Sequence, residues 1–194
     1  MHQRSPFVAV LLAVAASLSA GAAGRSQTAG EKESFTAVAI ANNNLGSGAG
    51  TVLIDITRWS PEAERSRLVG VLMEKGQEAL LDELRDAPPA GTIRTPATLA
   101  YDLRYAQQTP TEDGGRDILL LTDRPIGFWE ATARPRSIEY PFTVIQMRID
   151  GDGKGTGTIT LATKIAGAAN VIVLEDLASS PIRLTEIQVQ KGPE

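Results

Sequence analysis

The densest mixture of charged and aromatic side chains in the sequence follows a short apolar run. Its members are Asp123, Arg124, Phe128, Trp129 and Glu130. Aromatic rings of this kind can line a site for an apolar or sugar-like ligand, and a guanidinium can bind a carboxylate through two parallel hydrogen bonds. We expect a tight Pro-Gly turn whose rings belong to the core and whose charges form a salt bridge. A binding site is the alternative, and this stretch is the first candidate for one.

A second group of candidates lies upstream, where Tyr101 and Tyr105 alternate with Asp102 and Arg104. In a β-strand, this alternation places both tyrosines on one face and the two charged residues on the other. If the tyrosine face points into a barrel, the rings line a ligand cavity. The alternative is an ordinary half-buried sheet.

Paired carboxylates are the catalytic hypothesis that remains open. A glycosidase couple requires two acids that flank the scissile bond at a defined separation. The candidate members are Asp102, Asp123, Glu130 and Glu175. Spacing along a sequence does not give spacing in space, so hydrolysis stays an alternative to binding.

The acidic glycine loop around Asp150 and Asp152 resembles a calcium loop in only two positions. A helix–loop–helix calcium site needs oxygen ligands at positions 1, 3 and 5 and a Glu at position 12. Lys154 and Leu161 stand at the fifth and twelfth positions, and the flanking segments are strand-like. We expect a hairpin turn, for which Asp and Gly supply the backbone angles, with calcium as the alternative.

Composition excludes several chemistries. The chain has no cysteine and one histidine, His2, which lies in the predicted signal segment. The mature protein is thus expected to lack Ser-His-Asp and Cys-His catalysis, ordinary zinc sites and iron–sulfur ligation. No Ser-x-x-Lys, phosphate-binding loop or dinucleotide fingerprint occurs. We expect no cofactor.

The N-terminus has the pattern of a secretory signal. Arg4 supplies a positive start, an uncharged stretch runs from Phe7 to Ala23, and small residues suit cleavage after Ala22 or Ala23. We predict a signal peptide over residues 1–23, a flexible leader over 24–33 and one β-rich domain over 34–191. The net charge of −4 and the absence of a basic run argue against nucleic-acid binding. No second apolar run reaches membrane length, so we expect no membrane span after cleavage.

The elements that must position these residues are mostly strands. About nine short strands separated by turns indicate an α+β domain dominated by antiparallel sheet, as a sandwich or barrel. One long helix over 61–85, with Ser60 as N-cap and an apolar stripe of leucines, is predicted to pack on it. Gly76 interrupts this stripe, and division into two segments near Lys75 is the alternative. Asp-Gly residues at 150–153 predict a hairpin. A change of apolar phase between Leu184 and Ile187 predicts a bulge.

Five segments resemble a family of uncharacterised exported bacterial proteins. They are Arg58–Arg65, Lys75–Leu81, Thr122–Ala131, Tyr140–Thr143 and Pro181–Thr185. The resemblance covers about Phe35 to Val189 and implies one exported domain. No activity is established for that family, so the resemblance assigns no catalytic or binding residue.

Taken together, these patterns favour an exported, cysteine-free binding or accessory protein of the bacterial envelope, periplasmic or extracellular, rather than an enzyme. The expected partner is a small molecule or an envelope protein. The alternatives are a carboxylate-dependent periplasmic hydrolase, which needs two close acids in a cleft, and a structural protein without a small-molecule ligand, which needs an exposed apolar patch.

Overall fold

The computed structural model describes residues 32–43, 46–124, 126, 139–168, 171–177 and 180–190. The ten strands in this part of the chain are β1 (Glu33–Asn43), β2 (Gly46–Ile56), β3 (Gly91–Arg94), β4 (Tyr101–Leu103), β5 (Tyr105–Pro110), β6 (Arg116–Leu121), β7 (Phe142–Ile149), β8 (Lys154–Ala168), β9 (Val171–Asp176) and β10 (Ile182–Gln190). Two helices, α1 (Glu62–Lys75) and α2 (Gln77–Asp86), lie between β2 and β3. The predicted signal peptide lies outside the described residues.

All ten strands belong to one antiparallel sheet that closes almost completely on itself. Its order is β4-β3-β2-β1-β10-β8-β7-β6-β5, with β9 paired to β8 beside this path. The two end strands, β4 and β5, are separated along the chain by Arg104 alone. The Arg104 N–H donates to the Leu121 carbonyl at 2.8 Å, so the segment changes partner there from β3 to β6. Of the two predicted architectures, a barrel-like sheet is the one observed.

A large apolar cluster fills the inside of this barrel. Every strand except β9 contributes buried side chains to it, among them Phe35, Ile54, Leu120, Ile145 and Ile187. In β1 the buried residues alternate strictly with less buried ones, as expected of a strand with one face in the core. The interior is thus a packed core formed by alternate residues of the surrounding strands.

The helices cover part of the outer face of the sheet. Leu68, Leu72, Leu80 and Leu84 are buried there and form a second cluster with Phe142 and Ile165 among others. The prediction of one long helix is wrong, because Gly76 separates two short ones. Gly76 has a φ of 83°, a left-handed conformation that favours glycine and interrupts the helical path.

The start of α1 differs in detail from the predicted cap. The helix begins at Glu62, and no side chain caps it. Instead, the main chain and hydroxyl of Ser60 bond to Ala106: the Ser60 N–H donates to the Ala106 carbonyl at 2.7 Å, and the Ser60 Oγ accepts from the Ala106 N–H at 3.4 Å. Ser60 therefore anchors the start of α1 to β5.

Two local predictions are confirmed. β7 and β8 form a hairpin around Asp150–Gly153. The pairing of β10 with β8 shifts register between Leu184 and Ile187, where Glu186 adopts a φ of 52°. The bulge lets Leu184 and Ile187 both face the core although they are three positions apart.

Candidate functional site

The structure separates the two tyrosines that the sequence placed on one face. Tyr101 packs against the cluster inside the barrel, whereas Tyr105 belongs to the cluster beneath the helices. The shared-face prediction is wrong because alternation breaks at Arg104. Leu103 and Ala106 are both in the inner cluster, with two residues between them. The change of strand partner at Arg104 accounts for this break.

A polar cluster forms at the seam where the sheet closes, and it joins the two predicted sites. The Arg104 side chain lies 3.3 Å from Asp102 and 3.5 Å from Asp123, and its Nη1 donates to the Ala87 carbonyl at 3.2 Å. The Arg124 guanidinium carbon lies 5.8 Å from the centre of the Tyr101 ring, a cation–π distance. Sequence reasoning identified these residues without showing that they meet.

The geometry of this seam is that of a structural ion pair. The side chains of Arg104 and Asp123 are 17% and 12% exposed, and the Arg104 guanidinium contacts two carboxylates. A glycosidase couple instead needs both acids to face a common substrate. Phe128, Trp129 and Glu130 of the predicted site lie outside the described residues.

Two other acids of the predicted sites, Asp150 and Glu175, have local partners. The Asp150 Oδ1 accepts from the N–H groups of Asp152 and Lys154, both at 2.9 Å, so it closes its own hairpin turn. Glu175 accepts from the Tyr140 hydroxyl at 2.8 Å. Within the described ranges, no three His, Cys, Asp or Glu side chains are grouped to hold a metal ion.

A cavity of about 470 Å³ lies between the helices and the outer face of the sheet. Its walls are mostly aliphatic. From the helices come Leu68, Val69, Leu72 and Leu80. From the sheet come Leu119, Leu121, Val144, Ile165, Ile172 and Leu174. The cavity thus lies against the second cluster, outside the packed barrel.

The floor of the cavity changes from apolar to polar along the strands. The deepest row across β5, β6 and β7 is Tyr105, Leu121 and Val144, and the next row is Gln107, Leu119 and Gln146. Both rows line the cavity. One row further, Asp117 pairs with Arg148 at 3.0 Å on the surface. The amides of Gln107 and Gln146 therefore stand between the apolar floor and the charged exterior.

Tyr105 is the polar group set most deeply in this cavity. Its hydroxyl donates to the Gln107 Oε1 at 2.8 Å. Burial raises the pKa of Tyr105 well above its ordinary value, while the nearby charge of Arg65 opposes the rise. The phenol is therefore a neutral hydrogen-bonding group at physiological pH.

Sequence reasoning found Tyr105 but not the rest of this cavity. The leucine stripe on the helices and the Gln at position 146 in an otherwise apolar strand are visible in the sequence. Neither signal shows that the helices cover β5 to β9, because that depends on the order of strands in the sheet.

In the described part of the chain, no helix is both long enough and apolar enough to cross a membrane. Comparison with protein-family models, with curated proteins and with solved structures finds no significant match for this chain.

Proposed function

We propose that this protein binds a small molecule with an elongated apolar body, held in the cavity between α1 and the outer face of the sheet. The observation that carries the proposal is the cavity itself. Its volume of about 470 Å³ lies within the range of roughly 300–1,000 Å³ that is typical of small-molecule sites. Its walls combine many aliphatic groups with a few polar ones, as such sites do.

The position of the cavity supports a binding role over a packing defect. The barrel interior is filled by its own cluster, so the cavity does not result from a barrel too wide for its side chains. Wall atoms that face an empty apolar space lose dispersion contacts on that side. An apolar ligand restores those contacts and displaces water from aliphatic surface, which favours binding.

We propose further that the protein acts after export, in the periplasm or outside the cell, as a binding or accessory protein rather than an enzyme. The signal-like N-terminus supports this location. Expression of the full chain in a bacterium, followed by intact-mass measurement of the envelope and medium fractions, tests it. A mass that corresponds to cleavage after Ala22 or Ala23 is expected. An uncleaved chain that stays in the cytoplasm would contradict export.

The binding proposal is tested with a neutral naphthylamine dye whose emission rises in apolar surroundings. We expect saturable binding to the wild-type protein. Val69→Trp places an indole in the cavity, because Val69 lines it, and should weaken dye binding at least about tenfold, a loss of roughly 1.4 kcal/mol.

A matched control exists on β9. Val173 is 42% exposed and is not among the residues that line the cavity, so Val173→Trp makes the same change of size outside it. We expect this variant to bind the dye like the wild type. Absence of saturable binding by the wild-type protein, or equal binding by both folded variants, would refute the proposed function.

A further inference from the structure

We propose that the ligand is a single-chain amphiphile with a carboxylate head, in which the head pairs with Arg65 and the tail extends along the aliphatic floor toward β9. This inference rests on the proposed function and specifies its ligand class.

The charge of the cavity walls favours an anionic head group. Among the described residues that line the cavity, Arg65 is the only charged one. Acidic side chains are absent from that same set, and Glu62, the acid that pairs with Arg65, lies outside it. A guanidinium binds a carboxylate through two parallel N–H···O bonds, the geometry for which its planar fork is suited.

The present partner of Arg65 is easily displaced. Arg65 Nη1 lies 2.9 Å from the Glu62 Oε1, and the two side chains are 32% and 70% exposed. An exposed ion pair of this kind contributes about 0–1 kcal/mol. A ligand carboxylate held by the apolar contacts of its tail can therefore replace Glu62.

Helix α1 crosses the cavity from β5 at its start to β8 near its end. Its start is tied to β5 through Ser60 and Ala106. Near its end, Met73 packs so closely on β8 that a Cβ added to Gly167 would lie 2.5 Å from the Met73 sulfur. Arg65 therefore lies toward the β5 side, with Tyr105 and Gln107, and Leu72 lies toward β8.

Polarity is thus divided along the length of the cavity. The β5 end holds Arg65, the Tyr105 hydroxyl and the Gln107 amide, whereas the β9 end holds Ile172 and Leu174. Five neighbouring strands at about 4.8 Å spacing make this length roughly 19 Å, which suits an extended acyl chain. A polar head and an apolar tail match the two ends.

The test is displacement of the neutral dye by three ligands of equal chain length, dodecanoate, dodecanol and dodecylamine, each below its micellar concentration. We expect dodecanoate to displace the dye at the lowest concentration. Arg65→Gln should weaken dodecanoate about tenfold or more, since a hydrogen bond to a charged group is lost, and should weaken dodecanol and the dye much less.

A second variant is expected to change dodecanoate binding in the opposite direction. Glu62→Gln removes the carboxylate that competes for Arg65, so it should tighten dodecanoate binding and leave dodecanol unchanged. The inference would be overturned by any of three results. Dodecanol could displace the dye as well as dodecanoate does, dodecanoate could fail to displace the dye, or Arg65→Gln could weaken both ligands equally. In each of these cases the wild-type protein would still bind the dye, and Val69→Trp would still weaken that binding. Failure of this inference can therefore be distinguished from failure of the proposed function.

Discussion

Two leucines of α2 allow the cavity to be detected through stability alone. Leu80 and Leu84 are one helical turn apart, and both are buried, at 4% and 0% exposure. Leu80 lines the cavity and Leu84 does not. Replacement of each by Ala makes the same chemical change in the same helix, so helix propensity cancels between the two variants.

The expected costs differ because the surroundings differ. A buried Leu→Ala replacement costs about 2–5 kcal/mol, the sum of the lost transfer free energy and the cavity left behind. Leu84 has no exposed surface, so we place its cost near 4 kcal/mol. Leu80 already faces empty space on one side and has fewer contacts to lose, so we place its cost near 2.5 kcal/mol.

The assay is urea unfolding of protein freed of apolar ligands by unfolding and refolding over an apolar resin. With a slope of about 2 kcal/mol per molar urea, the difference of roughly 1.5 kcal/mol separates the two midpoints by about 0.7 M. Equal midpoints, or a lower midpoint for Leu80→Ala, would show that Leu80 is packed on all sides and would refute its place in the cavity wall.

Three further predictions concern backbone strain and pH. Gly76→Ala should destabilise the protein by about 1–3 kcal/mol through its backbone conformation alone, because a φ of 83° with a ψ of −174° lies in a region nearly restricted to glycine. An added Cβ has open space, and thermal unfolding measures this loss. Burial raises the pKa of Asp176, against the opposing hydrogen bond from Thr163. Asp176→Asn should therefore raise the melting temperature at pH 7, and this gain should vanish as the pH falls through the raised pKa to about 3.9. The hydrogen bond from Thr111 and then the contact with Arg148 lower the pKa of Asp113. Asp113→Asn should lower the melting temperature at pH 7, and this deficit should disappear as the pH falls below about 3.9 toward the depressed pKa. At pH 7 the two Asp→Asn variants should therefore shift the melting temperature in opposite directions. Shifts in the same direction across the pH series would contradict this reasoning.

Features encoded locally could be predicted from the sequence. The β7–β8 hairpin follows from an Asp-Gly turn between two apolar segments, and the β10 bulge follows from the changed phase between Leu184 and Ile187. Each needs only a few neighbouring residues. The helix boundary at Asp86 is of the same kind, because the prolines that follow cannot continue a helix.

Features that depend on distant pairing could not be predicted. The four residues of β3 have little pattern of their own and form a strand because β2 and β4 flank them. The faces of Tyr101 and Tyr105 depend on the change of partner at Arg104, which no periodicity shows. The cavity requires two helices and five strands in one spatial order. Sequence patterns thus identified the elements, whereas closure of the sheet determined the site.

The ion pair between Arg104 and Asp123, at the seam where the sheet closes, can be tested by substitution. Arg104→Met leaves the Asp123 carboxylate without the guanidinium that it faces. Loss of one partner from a fully buried pair costs about 3–5 kcal/mol, and the remaining exposure of 17% and 12% reduces our expectation to about 2–3 kcal/mol.

Asp123→Asn should cost less, because Arg104 keeps its contacts with Asp102 and the Ala87 carbonyl. If the seam is a structural ion pair, the double variant should be more stable than the sum of the single losses predicts, by about 1–2 kcal/mol, in a double-mutant cycle measured by urea unfolding. Strictly additive losses would mean that Asp123 and Arg104 do not interact. Its buried Oδ1, which has no hydrogen-bond partner among the residues that the structure describes, would then require another explanation, and binding of a ligand at the seam would be the first to examine.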